Sequence, residues 1–434
     1  MAGCGSRSAA SQHSPGLHPT RVGGPSLSCV GSFQRVPFVS PPGASAPLGT
    51  VPQYQPLPPQ GIEPGTYPLN GALNAIAGAG ASDVWAVGQY AKSGGPSQTL
   101  TEHWDGSSWS IVPAPDVSGL TTQGVGDVLD GVSVLSATDA WAVGYTDLNP
   151  SPGTSSTLTM HWDGSAWKII PAPDLSPSDG LVAVSALSPN DIWAVGSLSV
   201  GLTFGAYYAP LIEHWNGSAW SAGTIPSAGF DPLTPTAAAT AGALTSSGQP
   251  PNLLGVALTG VDAISPTNVW AVGYFTPDSA SPAILDQPFT AHWNGSTWTP
   301  VAAPDQYVAQ LHREASDYLS AVSGTAGTGL WAVGAAAPQG TVALHSSGIS
   351  WQQSVSSPRA GLYGAFNAVG VVDQTDVWAV GSSISRWDGK SWVTTYTIDG
   401  RTVDPLEAVA AISAGDVWMV GATGFIHYSC PKSR

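Results

Sequence analysis

One phrase recurs seven times along this chain: a short strand of small residues, a variant of D-V-W-A-V-G, a variable stretch and, in most copies, a variant of H-W-D-G-S-x-W. The tryptophans of the second motif are Trp85, Trp141, Trp193, Trp270, Trp331, Trp378 and Trp418. A unit repeated at this period cannot bury its own apolar face. It must stack on its neighbours, so the repeat decides the architecture before any single residue does.

Each repeat carries four strand signals. The first is small, as in L-N-A-I-A or L-E-A-V-A-A, and the second is the V-W-A-V segment. The third ends in H-W, and the fourth starts at the next tryptophan. D-G or N-G pairs join the third and fourth, a strong hairpin signal. Nothing of length has helical periodicity. Four antiparallel strands repeated radially predict an all-β, seven-bladed propeller. Small residues suit inner strands that converge on an axis. The unbroken V-W-A-V run suits strands buried on both faces. The seventh repeat stops before its fourth strand, and C-V-G-S-F-Q-R-V-P aligns with the D-G-S-S-W-S-I-V-P of the first, placing Phe33 at the Trp109 position. An N-terminal strand is therefore expected to complete the last blade and remove an open sheet edge. The expected organisation is a disordered tail over 1–30, a closing strand over 31–39, a Pro-rich connection over 40–72 and repeats over 73–430.

Composition narrows the functional classes. Apolar residues at 42% allow a substantial core, while only 9% are charged. A formal charge of −16 speaks against nucleic acid or an anionic membrane as partner. No apolar run is long enough for a transmembrane helix. No HExxH, CxxC, GxSxG or phosphate loop occurs, so neither a cofactor nor a metal is expected, and a monomer is. The three cysteines are Cys4, Cys29 and Cys430. Met-Ala-Gly-Cys followed by a Ser/Gly/Ala stretch looks like the end of a lipoprotein signal with Cys4 lipidated, which together with an oxidising compartment points to the cell surface or exterior. The closure alignment puts Cys29 and Cys430 in one hairpin, where a disulfide would lock the ring.

The H-W-D-G-S-x-W hairpins resemble the Asp-box, S-x-D-x-G-x-x-W, of sialidase-type propellers, over Trp104–Trp109, Trp162–Trp167, Trp215–Trp220, Trp293–Trp298 and Trp387–Trp392. Kelch-type propellers are comparably similar. The resemblance implies the fold, and it implies that these hairpins are structural turns away from any active site.

Six histidines share one repeat position: His103, His161, His214, His292, His345 and His427, with Arg386 in the seventh. A metal ring is excluded by spacing. The third strand lies two spacings of about 4.8 Å from the innermost one, so equivalent residues sit about 10 Å or more apart. Bonds to a shared metal would be roughly 2 Å. Local pairing with the residue that opens the second strand is expected instead: Asp83, Asp139, Asp191 and Asp416 for histidines, and Asp376 for Arg386.

The loops joining second to third strands, and fourth to next first strands, vary widely and share one face. Variable loops on a rigid scaffold are where binding sites are usually built. The candidates there are Asp116, Asp174 and Asp305, which follow P-A-P or A-A-P, with Tyr207 and Tyr208. Binding of a glycan or protein partner is the leading expectation. The alternative is a sialidase-like hydrolase or lyase acting on acidic sugars, for which Arg313, Arg359 and Arg401 would form a carboxylate-binding triad similar to the sialidase one, beside Glu314.

Overall fold

The computed structural model describes residues 31–36 and 39, and then residues 72–430 apart from breaks at 92–94, 118–125, 148–153, 203–204, 227–254, 276–285, 305–315, 328, 338–339, 355–363, 396, 399–400, 403–404 and 422–423. Seven antiparallel sheets of four strands account for nearly all of them, and a two-stranded hairpin, Thr397–Ile398 with Arg401–Thr402, completes the set. Blade 1 runs from Ala72 to Ile111, blade 2 from Asp127 to Ile169, blade 3 from Asp179 to Gly223 and blade 4 from Val256 to Val301. Blade 5 runs from Ser316 to Gln353 and blade 6 from Phe366 to Thr395. Blade 7 takes three strands from Leu406–Ser429 and its outermost strand from Ser32–Val36. Each innermost strand touches those of the two adjacent blades, so the seven close a ring about one axis.

The closing strand pairs Phe33 with Tyr428 in the register in which Trp109 pairs with Trp104 in blade 1. The apolar second strands are sealed on both faces: Val84, Ala86 and Val87 have no exposed surface, nor do their counterparts in other blades except Leu330, which is almost fully buried. Between blades the packing is aromatic. The second-strand tryptophan of one blade meets the two hairpin tryptophans of the next, as Trp85 meets Trp162 at 4.9 Å and Trp167 at 5.1 Å, the latter edge-on. Edge-to-face contact satisfies the ring quadrupoles. Phe33 and Tyr428 stand in for the indoles against Trp378, at 6.2 and 4.8 Å.

The hairpins between third and fourth strands are built by one acceptor. Asp105 Oδ1 accepts from the backbone N–H of Ser107 and Ser108 at 2.8 and 2.9 Å, and Gly106 takes the left-handed φ of 95° that the turn requires. Asn216 and Asn294 build the same turn. Cys430 is disulfide-bonded. Its expected partner Cys29 lies outside the described residues, as does Cys4.

Candidate functional site

The site is built by the glycine of W-A-V-G. In every blade this glycine faces the backbone of the innermost strand. A Cβ on Gly144 would stand 2.0 Å from the Val128 carbonyl oxygen, and the same contact in the other six blades would be 1.9–2.5 Å. Only glycine permits that approach. Immediately beyond it the innermost strand bulges by one residue, as between Leu129 and Gly131. A bulge re-aims the extra side chain. The seven residues so displaced are Asn74, Asp130, Val182, Thr259, Ser320, Asn367 and Glu407. They lie near the start of each inner strand, directly after the variable loops. They therefore ring the channel mouth on the loop-rich face.

Three of them reach into the next blade. Asn74 Nδ2 donates to the Leu129 carbonyl at 3.0 Å and to Asp130 Oδ1 at 2.9 Å. Asn367 Nδ2 donates to the Leu406 carbonyl at 3.0 Å and to Glu407 Oε2 at 3.2 Å. Thr259 Oγ1 donates to the Leu319 carbonyl at 2.7 Å. Each carboxyl thus receives one amide bond on one oxygen, and its second oxygen makes no hydrogen bond among the described residues. Burial raises both carboxyls, Asp130 to about 7, and the amide bonds only partly offset it.

A second layer lies deeper, opposite the repeat tryptophans: Ala77, Ser133, Ser185, Asp262, Ser323, Gly370 and Ala410. Ser133 and Ser185 accept from the backbone N–H of Ala186 and Ala263 at 3.1 and 3.0 Å. Asp262 accepts from the Gly324 N–H at 2.6 Å and faces Ser185 Oγ at 3.4 Å. Burial lifts it to about 7. Neither layer contains a lysine or arginine. No group of three His, Cys, Asp or Glu among the described residues is placed to hold a metal.

The sequence candidates on this face divide. Asp116 is used by its own blade: Oδ1 accepts from Thr99 N–H at 2.8 Å, and Oδ2 from Gln98 Nε2 at 3.0 Å. Asp174 accepts from Ser156 Oγ at 3.2 Å. Tyr208 is half-buried in the long hairpin of blade 3, paired with Ser199, and of Tyr207 only the backbone is described, opposite Val200. Arg401 lies in the small hairpin, opposite Ile398. Asp305, Arg313, Glu314 and Arg359 fall outside the described residues.

The histidines lie on the opposite face. His103, His161, His214 and His427 hold Nε2 within 2.8–3.0 Å of Asp83, Asp139, Asp191 and Asp416. Each ring also lies against its repeat tryptophan, His427 parallel to Trp418 at 3.9 Å. His292 meets Asn268 at 3.0 Å. Arg386 grips Asp376 through two bonds of 2.6 and 2.7 Å. The channel carboxyls were missed by sequence reasoning. Their signal is a polar residue directly after the first leucine of an otherwise small inner strand, as in L-D-G-V and L-E-A-V.

No protein-family model matches the chain, and no curated protein matches it. Solved structures do. YCF48 bound to D1 peptide is similar at 14% identity with a TM-score of 0.51, over 95% of this chain and all of that one. YCF48 from Cyanidioschyzon merolae is similar at 19% identity and 0.50, over 85% and 98%. The fucose-specific lectin from Aleuria aurantia is similar at 13% and 0.40, over 75% and 94%. At these identities the likeness to the two YCF48 structures is one of fold.

Proposed function

We propose that the protein is a binding propeller that receives a protein segment at the channel mouth of its loop-rich face, and that the segment presents a lysine or arginine to the axis. One observation carries the reading: Asp130 and Glu407 stand in the channel ring on either side of Asn74, each with one oxygen bonded by an amide and the other unbonded among the described residues, and no cation lies among the ring residues. A buried carboxyl without a counter-charge favours a cationic partner that pairs with it. A solved propeller of this size, YCF48, is described as bound to a peptide, which suits the reading. For glycan binding, the other half of the leading expectation, Asp116 and Asp174 offer less, since both are bonded within their own blades; of the arginines of the sialidase-like alternative, Arg313 and Arg359 lie outside the described residues and Arg401 has no described side chain. Export with a lipid tether at Cys4, and Asp-box kinship of the hairpins, belong to the same proposal.

The test uses acetylated hexapeptides with one central lysine or arginine, read by fluorescence anisotropy. Asp130→Asn with Glu407→Gln is expected to weaken binding at least tenfold. A charge-matched control on the other face, Asp105→Asn with Asp388→Asn, is expected to leave it unchanged; Asn216 shows that asparagine builds that turn. Burial raises both channel carboxyls, and Asp130 ionises only as pH climbs through about 7, so binding should strengthen from pH 6 to pH 8. Equal losses in both double variants would leave only the overall charge of −16 as the attraction and sink the proposal.

A further inference from the structure

The hairpin face is nearly uniform except at blade 5, where two positions depart from the repeat. Gly329 stands where other blades open their second strand with Asp or Asn, and Ser346 stands where most end their third strand with Trp. Both changes remove side-chain volume from one place. A cavity of about 840 Å³ opens there, between the hairpins of blades 4, 5 and 6. Trp331, His345, Ser346, Gln374, Trp387 and Lys390 are among its walls.

Blades 3 and 4 show what such a group can do. Asp191 Oδ1 accepts from His214 Nε2 and from Trp193 Nε1, both at 2.9 Å. Asn268 Oδ1 serves His292 at 3.0 Å and Trp270 at 2.9 Å in the same way. One oxygen atom thus joins an imidazole and an indole. In blade 5 the imidazole and the indole remain, with His345 against Trp331 at 4.8 Å, and the oxygen is gone. Neither ring has a hydrogen-bond partner among the described residues. The unpartnered indole nitrogens of Trp85, Trp141, Trp378 and Trp418 are sealed in the core, but that of Trp331 is not. Burial without an acidic partner lowers the His345 pKa, which leaves a neutral ring with one N–H to donate.

We propose that this cavity is a binding site for a carboxylate, one oxygen of which takes the place of the absent Asp side chain between His345 Nε2 and Trp331 Nε1. Lys390, exposed at the mouth on the blade 6 hairpin, supplies the opposite charge. Trp387, half-buried, offers a ring face to the body of the ligand. Gln374 holds the rim by donating to the Gly327 carbonyl at 2.6 Å. The site takes either an acidic sugar or a carboxylate carried by a peptide, since both present the same oxygens. It is independent of the channel mouth, being on the other face and of the opposite charge preference.

The experiment is calorimetric titration of the full chain with sodium glucuronate, its neutral methyl ester, and an acetylated pentapeptide ending in a free carboxylate beside its C-terminal amide. Binding of at least one acid is expected, with the matching neutral compound at least tenfold weaker. The acid that binds identifies the source as saccharide or peptide. His345→Phe keeps the ring packing on Trp331 and should weaken binding at least tenfold. Ser346→Trp restores the repeat residue, fills the cavity and should abolish binding. In the transverse-relaxation-optimised nitrogen–proton spectrum, the Trp331 indole N–H should move on addition of the acid that binds. Binding of neither acid, or equal binding of acid and neutral partner, overturns the proposal. So does binding that both variants leave intact.

Discussion

Glu102 and Glu213 occupy the same position in the third strands of blades 1 and 3, and both side chains are fully buried. Glu102 Oε2 accepts the Val39 N–H at 3.2 Å, from the chain just beyond the closing strand. Aligning Phe33 with Trp167 puts Pro173 where Val39 stands, and proline has no N–H to give. Neither oxygen of Glu213 finds a hydrogen-bond partner among the described residues. Burial, and then the charges of Asp179 and Asp174, push its carboxyl up to about 8. Blade 2 meets the same situation differently, with buried Met160 in that position and Pro115 six residues after Trp109. The unfolded chain releases the proton at the ordinary glutamate value, whereas the folded chain keeps it until about pH 8. Stability therefore falls as pH rises between those limits and levels off above them. Glu213→Met should flatten that fall and leave the variant more stable at pH 9 by on the order of a few kcal/mol, with little difference at pH 4. Urea midpoints at pH 4, 7 and 9 decide it; parallel curves for the two proteins would mean that Glu213 is solvated.

At the scale of the strand, the W-A-V-G glycine and the bulge opposite are one device. Gly144→Ala places a methyl 2.0 Å from a carbonyl oxygen that belongs to the neighbouring strand and cannot rotate away. The expected cost is about 2 kcal/mol or more. Gly80→Ala, at the end of an inner strand with nothing within 4 Å of the added carbon, should stay within about 0.5 kcal/mol. Guanidinium midpoints of the two variants make the comparison, and equal values would refute the steric account. The same device explains what could be read in the sequence. Strand identity, blade number and the D-G turns follow from local pattern, because each is set by contacts a few residues apart. The channel ring does not, because a bulge is visible only when two strands are laid in register. Asp130 in L-D-G-V-S-V looks like one more alternating residue until its partner strand shows that it has none. Asp116, by contrast, is conspicuous in P-A-P-D and proves to be committed to Thr99 and Gln98.

At the scale of the whole ring, the question is what holds the two chain ends together. Every gap between blades has an indole from one side, and all but two have two indoles from the other. Between blades 4 and 5 Trp270 meets only Trp351, at 5.3 Å, because Ser346 replaces the second. Between blades 6 and 7 Trp378 meets Phe33 and Tyr428, and Arg386 lies over its ring at 4.7 Å while bonding the Tyr428 hydroxyl at 3.1 Å. Phe33 could be aligned with Trp109 from sequence because the repeat supplies the template. The first gap could not be foreseen, since a missing side chain leaves no motif. Closure then has two separable parts. Packing and the strand ladder stabilise the folded ring, whereas the Cys430 disulfide, with Cys29 as the partner we propose, acts chiefly on the unfolded chain by closing a very long loop. Cys430→Ser should therefore lower stability by on the order of a few kcal/mol yet leave the near-ultraviolet circular dichroism of the native tryptophans unchanged. Phe33→Ala should cost about 2 kcal/mol and also alter that spectrum, because Trp378 loses its edge-on neighbour. A Phe33→Ala protein identical to the parent in both measurements would show that the closing strand is not packed in the gap. A Cys430→Ser protein with a changed native spectrum would show that the disulfide shapes the folded ring rather than limiting the unfolded one.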